Sequence, residues 1–220
     1  YLGMALTTPA RPFVAVLGGA KVSDKIEVVQ NLMSVADALL IGGAMAYTFL
    51  KSEGIPVGRS LVEDDRLGLA KELLVGAHGR KFPFELPVDH VVASDPSAAE
   101  GEIVDIRATP PDKMGLDVGP RTVSNFRARV IDAKTIVWNG PLGMFEKQPF
   151  AEGTVSMAHA VAEATAAGSI SIVGGGDSVA AVHRAGVAAK ISHISTGGGA
   201  SLEFLAGRKL PGVEALTDRP

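Results

Sequence analysis

Five short apolar runs in this 220-residue chain each end in a glycine cluster. They are Val16-Leu17-Gly18-Gly19, Leu40-Ile41-Gly42-Gly43, Val137-Trp138-Asn139-Gly140, Ile172-Val173-Gly174-Gly175-Gly176 and Ile194-Ser195-Thr196-Gly197-Gly198-Gly199. Each precedes a stretch that reads as a helix or the start of one. A strand ending in glycine ahead of a helix lets backbone N–H groups approach an anion at the positive end of the helix dipole. One such turn is ordinary in an α/β protein. Five on parallel strands put five carboxyl-end loops along one sheet edge, where open α/β folds bind ligands. The pattern points to a phosphorylated ligand, a nucleotide first.

The rest of the chain sets bounds. A net charge of −3, with 21 Lys and Arg residues scattered rather than blocked, argues against nucleic acid as a partner. No run of about 18 apolar residues suggests a membrane span, and no secretory leader is read. The absence of cysteine removes thiolate metal sites and fits a reducing compartment, so a cytoplasmic monomer is expected. The five histidines form no His-x-x-x-His pair and read as surface or helix-end residues.

Residues 1–12 read as a lead-in in which Pro9 and Pro12 limit regular structure. Phe13–Leu17 is a continuous apolar run of the kind buried on both faces of a parallel sheet. Ser23 is placed to cap a helix carrying Ile26, Val29, Leu32, Met33 and Ala36 at helical spacing. Strands follow at Ala38–Ile41, Val88–Ala93, Thr135–Trp138, Ser169–Val173 and Ile191–Ser195, with a short one at Glu102–Arg107. Helices are expected at Met45–Lys51, Glu63–Val75 (closed by Gly76 and Gly79), Val123–Asp132, Glu152–Ala167, Ser178–Ala185 and Ala200–Ala206. The fold expected from this alternation is α/β: one doubly wound, Rossmann-like parallel sheet of about six strands with helices on both faces.

Two familiar phosphate motifs are missing. Gly-Lys never occurs, so there is no P-loop. Gly174-x-Gly176 and Gly197-x-Gly199 each begin a dinucleotide fingerprint, but Val179 and Leu202 stand where its third glycine belongs, against a standard NAD site. Gly176-Asp177-Ser178-Val179-Ala180 resembles a nucleophile elbow, yet residues 179–192 hold no acid to serve a triad; Ser178 is more simply a helix cap. What remains is charge set in glycine-rich turns. Lys21 and Lys25 flank a helix start, where a cation opposes the dipole but suits an anion. The alternative is two solvated surface lysines. Asp177 follows three glycines, and a carboxylate there repels phosphate unless a divalent cation bridges them. Its alternative is a helix N-cap.

At these residues the chain resembles the C-terminal, nucleotide-binding domain of the phosphoglycerate kinase family. The matching stretches are GGAKVSDKI at 18–26, IGGAMAYTFLK at 41–51, MGLDVGP at 114–120, WNGPLGMFE at 138–146, GGGDSVAA at 174–181 and STGGGASLEFL at 195–205. The resemblance implies a junction at 1–12, a nucleotide-binding domain at 13–209 and a tail at 210–220 that returns to an N-terminal domain. It implies reversible phosphoryl transfer from 1,3-bisphosphoglycerate to ADP, giving 3-phosphoglycerate and ATP with Mg²⁺, with the glycerate bound by the N-terminal domain.

Carried over residue by residue, Lys21 and Lys25 resemble the phosphate-binding lysines, Lys25 reaching the group in flight. Asp177 resembles the magnesium-associated aspartate, assisted through water by Asp24. Gly174, Gly175, Gly176 and Ser178 resemble the loop beside the phosphates, and Glu146 the acceptor of a ribose hydroxyl. Gly19, Ala20, Gly43, Ala44, Gly115, Leu116, Asn139, Pro141 and Met144 resemble the walls around adenine and ribose. Gly197, Gly198 and Gly199 resemble the helix N-terminus facing the transferred phosphoryl. Two departures stand out: Ala44 replaces a glycine, and Pro96 falls near a position where an aromatic covers the base. An apolar face toward the other domain is expected at Tyr1–Leu6 and Leu210–Leu216. The competing readings are a nicotinamide-cofactor oxidoreductase domain and a non-catalytic nucleotide-binding module.

Overall fold

Apolar residues on consecutive strand positions point alternately to opposite faces, so a strand apolar throughout must be covered on both sides. In the computed structural model, which describes residues 1–208, β1 (Phe13–Leu17) is buried at every position. Phe13, Ala15 and Leu17 join one core with Leu39, Ile41, Val137 and Ile172; Val14 and Val16 join the other with Leu40, Ile136, Trp138 and Val173. β2 (Ala38–Ile41), β7 (Thr135–Asn139) and β8 (Ile170–Gly174) repeat the pattern.

With β3 (Phe84–Glu85) and β9 (His193–Ser195), these strands form a six-stranded sheet in the order β3-β2-β1-β7-β8-β9, every pairing parallel. Counted within the sheet alone, the order is 3-2-1-4-5-6, that of the doubly wound dinucleotide folds, reversing between β1 and β7. One face is covered by α1 (Leu2–Thr7), α2 (Ile26–Val35), α3 (Met45–Ser52), α4 (Leu67–Gly79) and α8 (Gly198–Leu205). The other is covered by α5 (Pro120–Asp132), α6 (Glu152–Ala166) and α7 (Gly176–Arg184). All five glycine clusters fall at the carboxyl ends of strands of this sheet, on one edge, as the sequence pattern requires.

Several expectations are corrected. Val88–Ala93 is a strand, β4 (Asp89–Ala93), but it lies outside the parallel sheet. It pairs antiparallel with β5 (Glu102–Asp105) and β6 (Met114–Val118) in a second, three-stranded sheet. The third slot of the main sheet goes instead to Phe84–Glu85, two residues between Pro83 and Pro87. α1 forms ahead of Pro9, burying Ala5. The helix expected from Glu63 begins at Leu67 after a 3₁₀ turn and runs through Gly76 to Gly79. Ser23 does not cap α2, whose N-cap is Lys25; its hydroxyl is committed to Glu63. His90 is a core residue, donating or accepting at both ring nitrogens with Tyr47 and Thr109 at 3.0 Å. Burial pushes its pKa down to about 4 against the pull of Asp89 and Asp105. At Tyr1–Leu6, Tyr1 and Met4 are exposed while Leu2 and Leu6 pack on the core. Leu210–Leu216 lies outside the described residues.

Candidate functional site

Strands that part at the reversal of a doubly wound sheet open a crevice beyond their carboxyl ends. Here the turns after β1, β2 and β7 are stitched together around that crevice. Gly18 N–H donates to the Asn139 carbonyl (3.0 Å), Gly19 N–H to Pro141 (2.9 Å), Gly43 N–H to Leu142 (2.9 Å) and Met45 N–H to Gly19 (3.0 Å). So close an approach needs glycine. Gly43 has φ +66°, and a Cβ there would lie 2.5 Å from the Gly19 nitrogen; one on Gly18 would collide with the Pro141 carbonyl.

Beneath the stitching sits Lys25. It is 9% exposed, and its Nζ donates to the carbonyls of Gly18 (2.6 Å) and Asn139 (3.1 Å), two of three donors. Burial pulls its pKa down to about 8, against the attraction of Asp177 and Asp24. Of the two lysines, then, only Lys21 is solvated; Lys25 stands at the N-terminus of α2, where the dipole disfavours it. Asp177 is exposed in the first turn of α7, whose N-cap is Gly175 at φ +89°. Ser178 is not a cap. It is fully buried, and its Oγ accepts the Gly140 N–H at 2.5 Å. Asn139, also buried, donates from Nδ2 to the Gly174 carbonyl at 3.0 Å. Both tie the β7 turn to the β8 turn from below.

The resulting cleft has a volume of about 490 Å³. Of the residues named from sequence, the first two turns contribute Gly19, Ala20, Gly43 and Ala44. Gly115 and Leu116 line it from β6, Pro141, Met144 and Glu146 from the loop after β7, and Asp177 from the first turn of α7. Lys21, Asp24, Lys25, Asn139, Ser178 and the glycines Gly174, Gly175, Gly176, Gly197, Gly198 and Gly199 do not line this cleft. Gly176, Gly198 and Gly199 face open space on the same sheet edge.

Sequence reasoning missed Tyr47, Arg59, Leu61, Met114, Asp117, Leu142 and Gly143 in the lining, and Pro96 is present at the position where a base cover was considered. Leu61, 57% exposed, is an unusual apolar residue for open surface. Tyr47 explains Gly115: a Cβ there would run into its hydroxyl, which is hydrogen-bonded to His90. Asp117 is buried and accepts the N–H groups of Gly153 (2.8 Å) and Val118 (2.9 Å). Among the described residues no three His, Cys, Asp or Glu side chains gather as a metal cage. Asp177 lines the cleft, whereas Asp24 lines a separate hollow with Ile26, Glu27 and Leu202.

Fold and cleft together define an open, doubly wound α/β domain with its ligand crevice at the reversal of strand order. The family model for phosphoglycerate kinase matches residues 1–208, and the chain belongs to that family. It is 57% identical over 217 residues to a phosphoglycerate kinase of Anaeromyxobacter sp. (strain Fw109-5), covering 98% of this chain and 54% of the relative. To that of Koribacter versatilis it is 60% identical over 221 residues, covering 100% and 54%. The solved phosphoglycerate kinase from Coxiella burnetii superposes with a TM-score of 0.93 at 42% identity, over 97% of this chain and 55% of that one. The one from Pyrococcus horikoshii OT3 gives 0.84 at 34%, over 97% and 54%. The chain spans about half the length of the relatives it matches. Among the described residues no helix is long and apolar enough to cross a membrane.

Proposed function

We propose that this chain is the nucleotide-binding half of a phosphoglycerate kinase, holding Mg·ADP or Mg·ATP in the cleft between the β1, β2 and β7 turns. The reaction is reversible phosphoryl transfer between 1,3-bisphosphoglycerate and ADP, with the glycerate substrate held by the other half of the enzyme. One observation carries the reading: a single cleft gathers apolar side chains, two glycine turns and the carboxylates Asp177 and Glu146. Leu61, Pro96, Met114, Leu116 and Met144 offer apolar surface for a base, with Gly43 and Ala44 small enough to let it lie flat. Glu146, exposed at the rim, is placed to accept from a ribose hydroxyl. The Gly19–Ala20 turn and Asp177 line the same cleft, and the buried Lys25 lies behind that turn, bonded to the Gly18 carbonyl.

Phosphoryl transfer needs little covalent chemistry from the protein; positioning and charge stabilisation supply most of the catalysis. Lys25 keeps one donor beyond its two carbonyl partners for a phosphate oxygen. Lys21, solvated on the same loop, adds a mobile positive charge. Gly197, Gly198 and Gly199 present backbone N–H groups at the start of α8 on the same edge, toward the migrating group. Asp177, with Asp24 through water, would hold a magnesium ion, which neutralises phosphate charge when bound. The glycerate's reaction partner geometry comes from closure of the two halves.

Calorimetric titration of the chain with Mg·ADP, Mg·ATP and NADH tests this. Saturable, magnesium-dependent binding of the adenine nucleotides and none of NADH is expected. At about 100 times the dissociation constant, Mg·ADP should stabilise the fold by about 2.7 kcal/mol. A folded sample whose melting is unmoved by millimolar Mg·ADP would overturn the reading, and NADH binding would favour the oxidoreductase alternative.

A further inference from the structure

The loop from Gly19 to Lys25 carries both lysines yet has almost no regular structure of its own. Its front is held by Gly19, paired with Pro141 and Met45, and its rear by the Lys25 ammonium. Its middle is gripped from outside. Ser23 N–H donates to Glu63 Oε2 at 3.0 Å and Ser23 Oγ donates to Glu63 Oε1 at 2.5 Å, so one carboxylate takes both donors of one residue.

Glu63 is itself fixed. Its N–H donates at 3.1 Å to Thr48 Oγ1, and Thr48 is buried on α3, the helix that follows the Gly42-Gly43 turn. Two and four residues before Glu63 come Leu61 and Arg59, both on the cleft lining, while Glu63 is not. A single segment therefore forms the rim of the apolar end and clamps the phosphate end. Burial pushes the Glu63 carboxyl up, but the Ser23 hydroxyl and N–H, the Val22 backbone and Arg66 outweigh it and hold it below the ordinary range. It is ionised at neutral pH, and hydrogen bonds to an ionised acceptor are roughly twice as strong as neutral ones.

We propose that Glu63 is a positioning residue for phosphate recognition, its carboxylate holding the Gly19–Lys25 loop so that Lys21 and Lys25 meet the phosphates of a bound nucleotide. The inference rests on the cleft being a nucleotide site and adds a part to it. A negative group beside a phosphate-binding loop is costly unless it serves the loop's shape, and Glu63 takes a Ser23 donor on each oxygen and is not among the cleft-lining residues. If it acts through the loop, it matters to the phosphates and not to the base.

The test compares Mg·ADP with adenosine, which fills only the base and ribose end, by chemical-shift titration of the 220-residue chain. In Glu63→Gln, Mg·ADP affinity should fall about five- to tenfold, on the order of one net hydrogen bond, with adenosine affinity unchanged within about twofold. Ser23→Ala, which leaves the carboxylate in place, should act the same way, and the double variant should be no worse than the weaker single. Unchanged Mg·ADP affinity in both single variants overturns the proposal; so does a parallel loss of adenosine, which marks a merely structural role. Wild-type protein binding adenosine as tightly as Mg·ADP would overturn the reading of the cleft's phosphate end and this inference with it. Because that result is seen in the unsubstituted chain, the two failures are distinguishable.

Discussion

Asp117 is a carboxylate in an apolar setting, placed where β6, the loop after β7 and the start of α6 converge. A Cβ on Gly143 or on Gly153 would strike it, so both neighbours are glycine. Burial pushes its pKa up to about 7, against the N–H groups of Gly153 and Val118 and helped by Glu152; burial, and after it the Asp117 charge, pushes the Tyr47 hydroxyl up. The folded-state value lies above the unfolded one near 4, so between about pH 4 and 7 the folded chain holds a proton that the unfolded chain has released. Stability from this group is therefore full below about pH 4 and lost as pH rises toward 7. Asp117→Asn carries a constant cost from its amide but no such loss. Its stability relative to wild type should rise between pH 4.5 and 7.5 by about 2–4 kcal/mol. Urea melts of both proteins across that range check it, and a difference that stays flat with pH rejects a buried titrating carboxyl at this position. Sequence gave little sign of this: an aspartate inside MGLDV reads as the polar member of a turn until the strand's partners are known.

At the scale of the elements, α5 takes its N-terminal cap from outside its own residues. Gly119 is its N-cap and offers no side chain, and Pro120 opens the first turn. The cap comes instead from β4. Asp89 accepts the N–H groups of Arg121 (3.0 Å) and Thr122 (2.8 Å) and the Thr122 hydroxyl (2.7 Å), while Val88 N–H donates to that hydroxyl at 3.0 Å. One buried carboxylate thereby joins the small sheet to the helix that leads into the β7 strand. Asp89→Ala should cost about 2–4 kcal/mol in denaturant unfolding, because it strands buried donors. Thr122→Ser keeps the hydroxyl and should cost under about 1 kcal/mol. Equal stability of Asp89→Ala and wild type would show that water replaces the cap without penalty. The same elements mark the limit of what the chain's pattern reveals. Strands apolar at every position, such as Phe13–Leu17 and Ala38–Ile41, declare their place because only a sheet covered on both faces accepts them. β5 is exposed at three of four positions and β6 holds a glycine and an aspartate, so pairing rather than burial makes them strands. The cleft divides along the same line. Its glycine turns were legible because close backbone approach demands glycine, whereas Tyr47, Arg59 and Leu61 reach it only through the packing of α3 and the segment after it.

At the scale of the whole molecule, every proposed phosphate contact lies on one edge of one sheet, and that edge faces outward. Transfer between two substrates requires the second to arrive in line, and well-oriented approach accounts for roughly 7–11 kcal/mol of barrier lowering. The chain spans about half of the length of its relatives. Tyr1, the N-cap of α1, and Met4 within it are exposed at 58% and 42%. The chain alone should therefore bind Mg·ADP yet turn over 3-phosphoglycerate with ATP at under about one-thousandth the rate of a two-domain relative. Supplying the other half of such a relative as a separate protein should restore part of the activity in proportion to its concentration, mass action standing in for the effective concentration of a linker. A coupled assay of ATP-dependent 3-phosphoglycerate phosphorylation, with and without that half, decides the matter. Rates within about tenfold of the two-domain enzyme from this chain alone would mean that the glycerate site lies inside these 220 residues, and that the division of labour between the two halves is wrong.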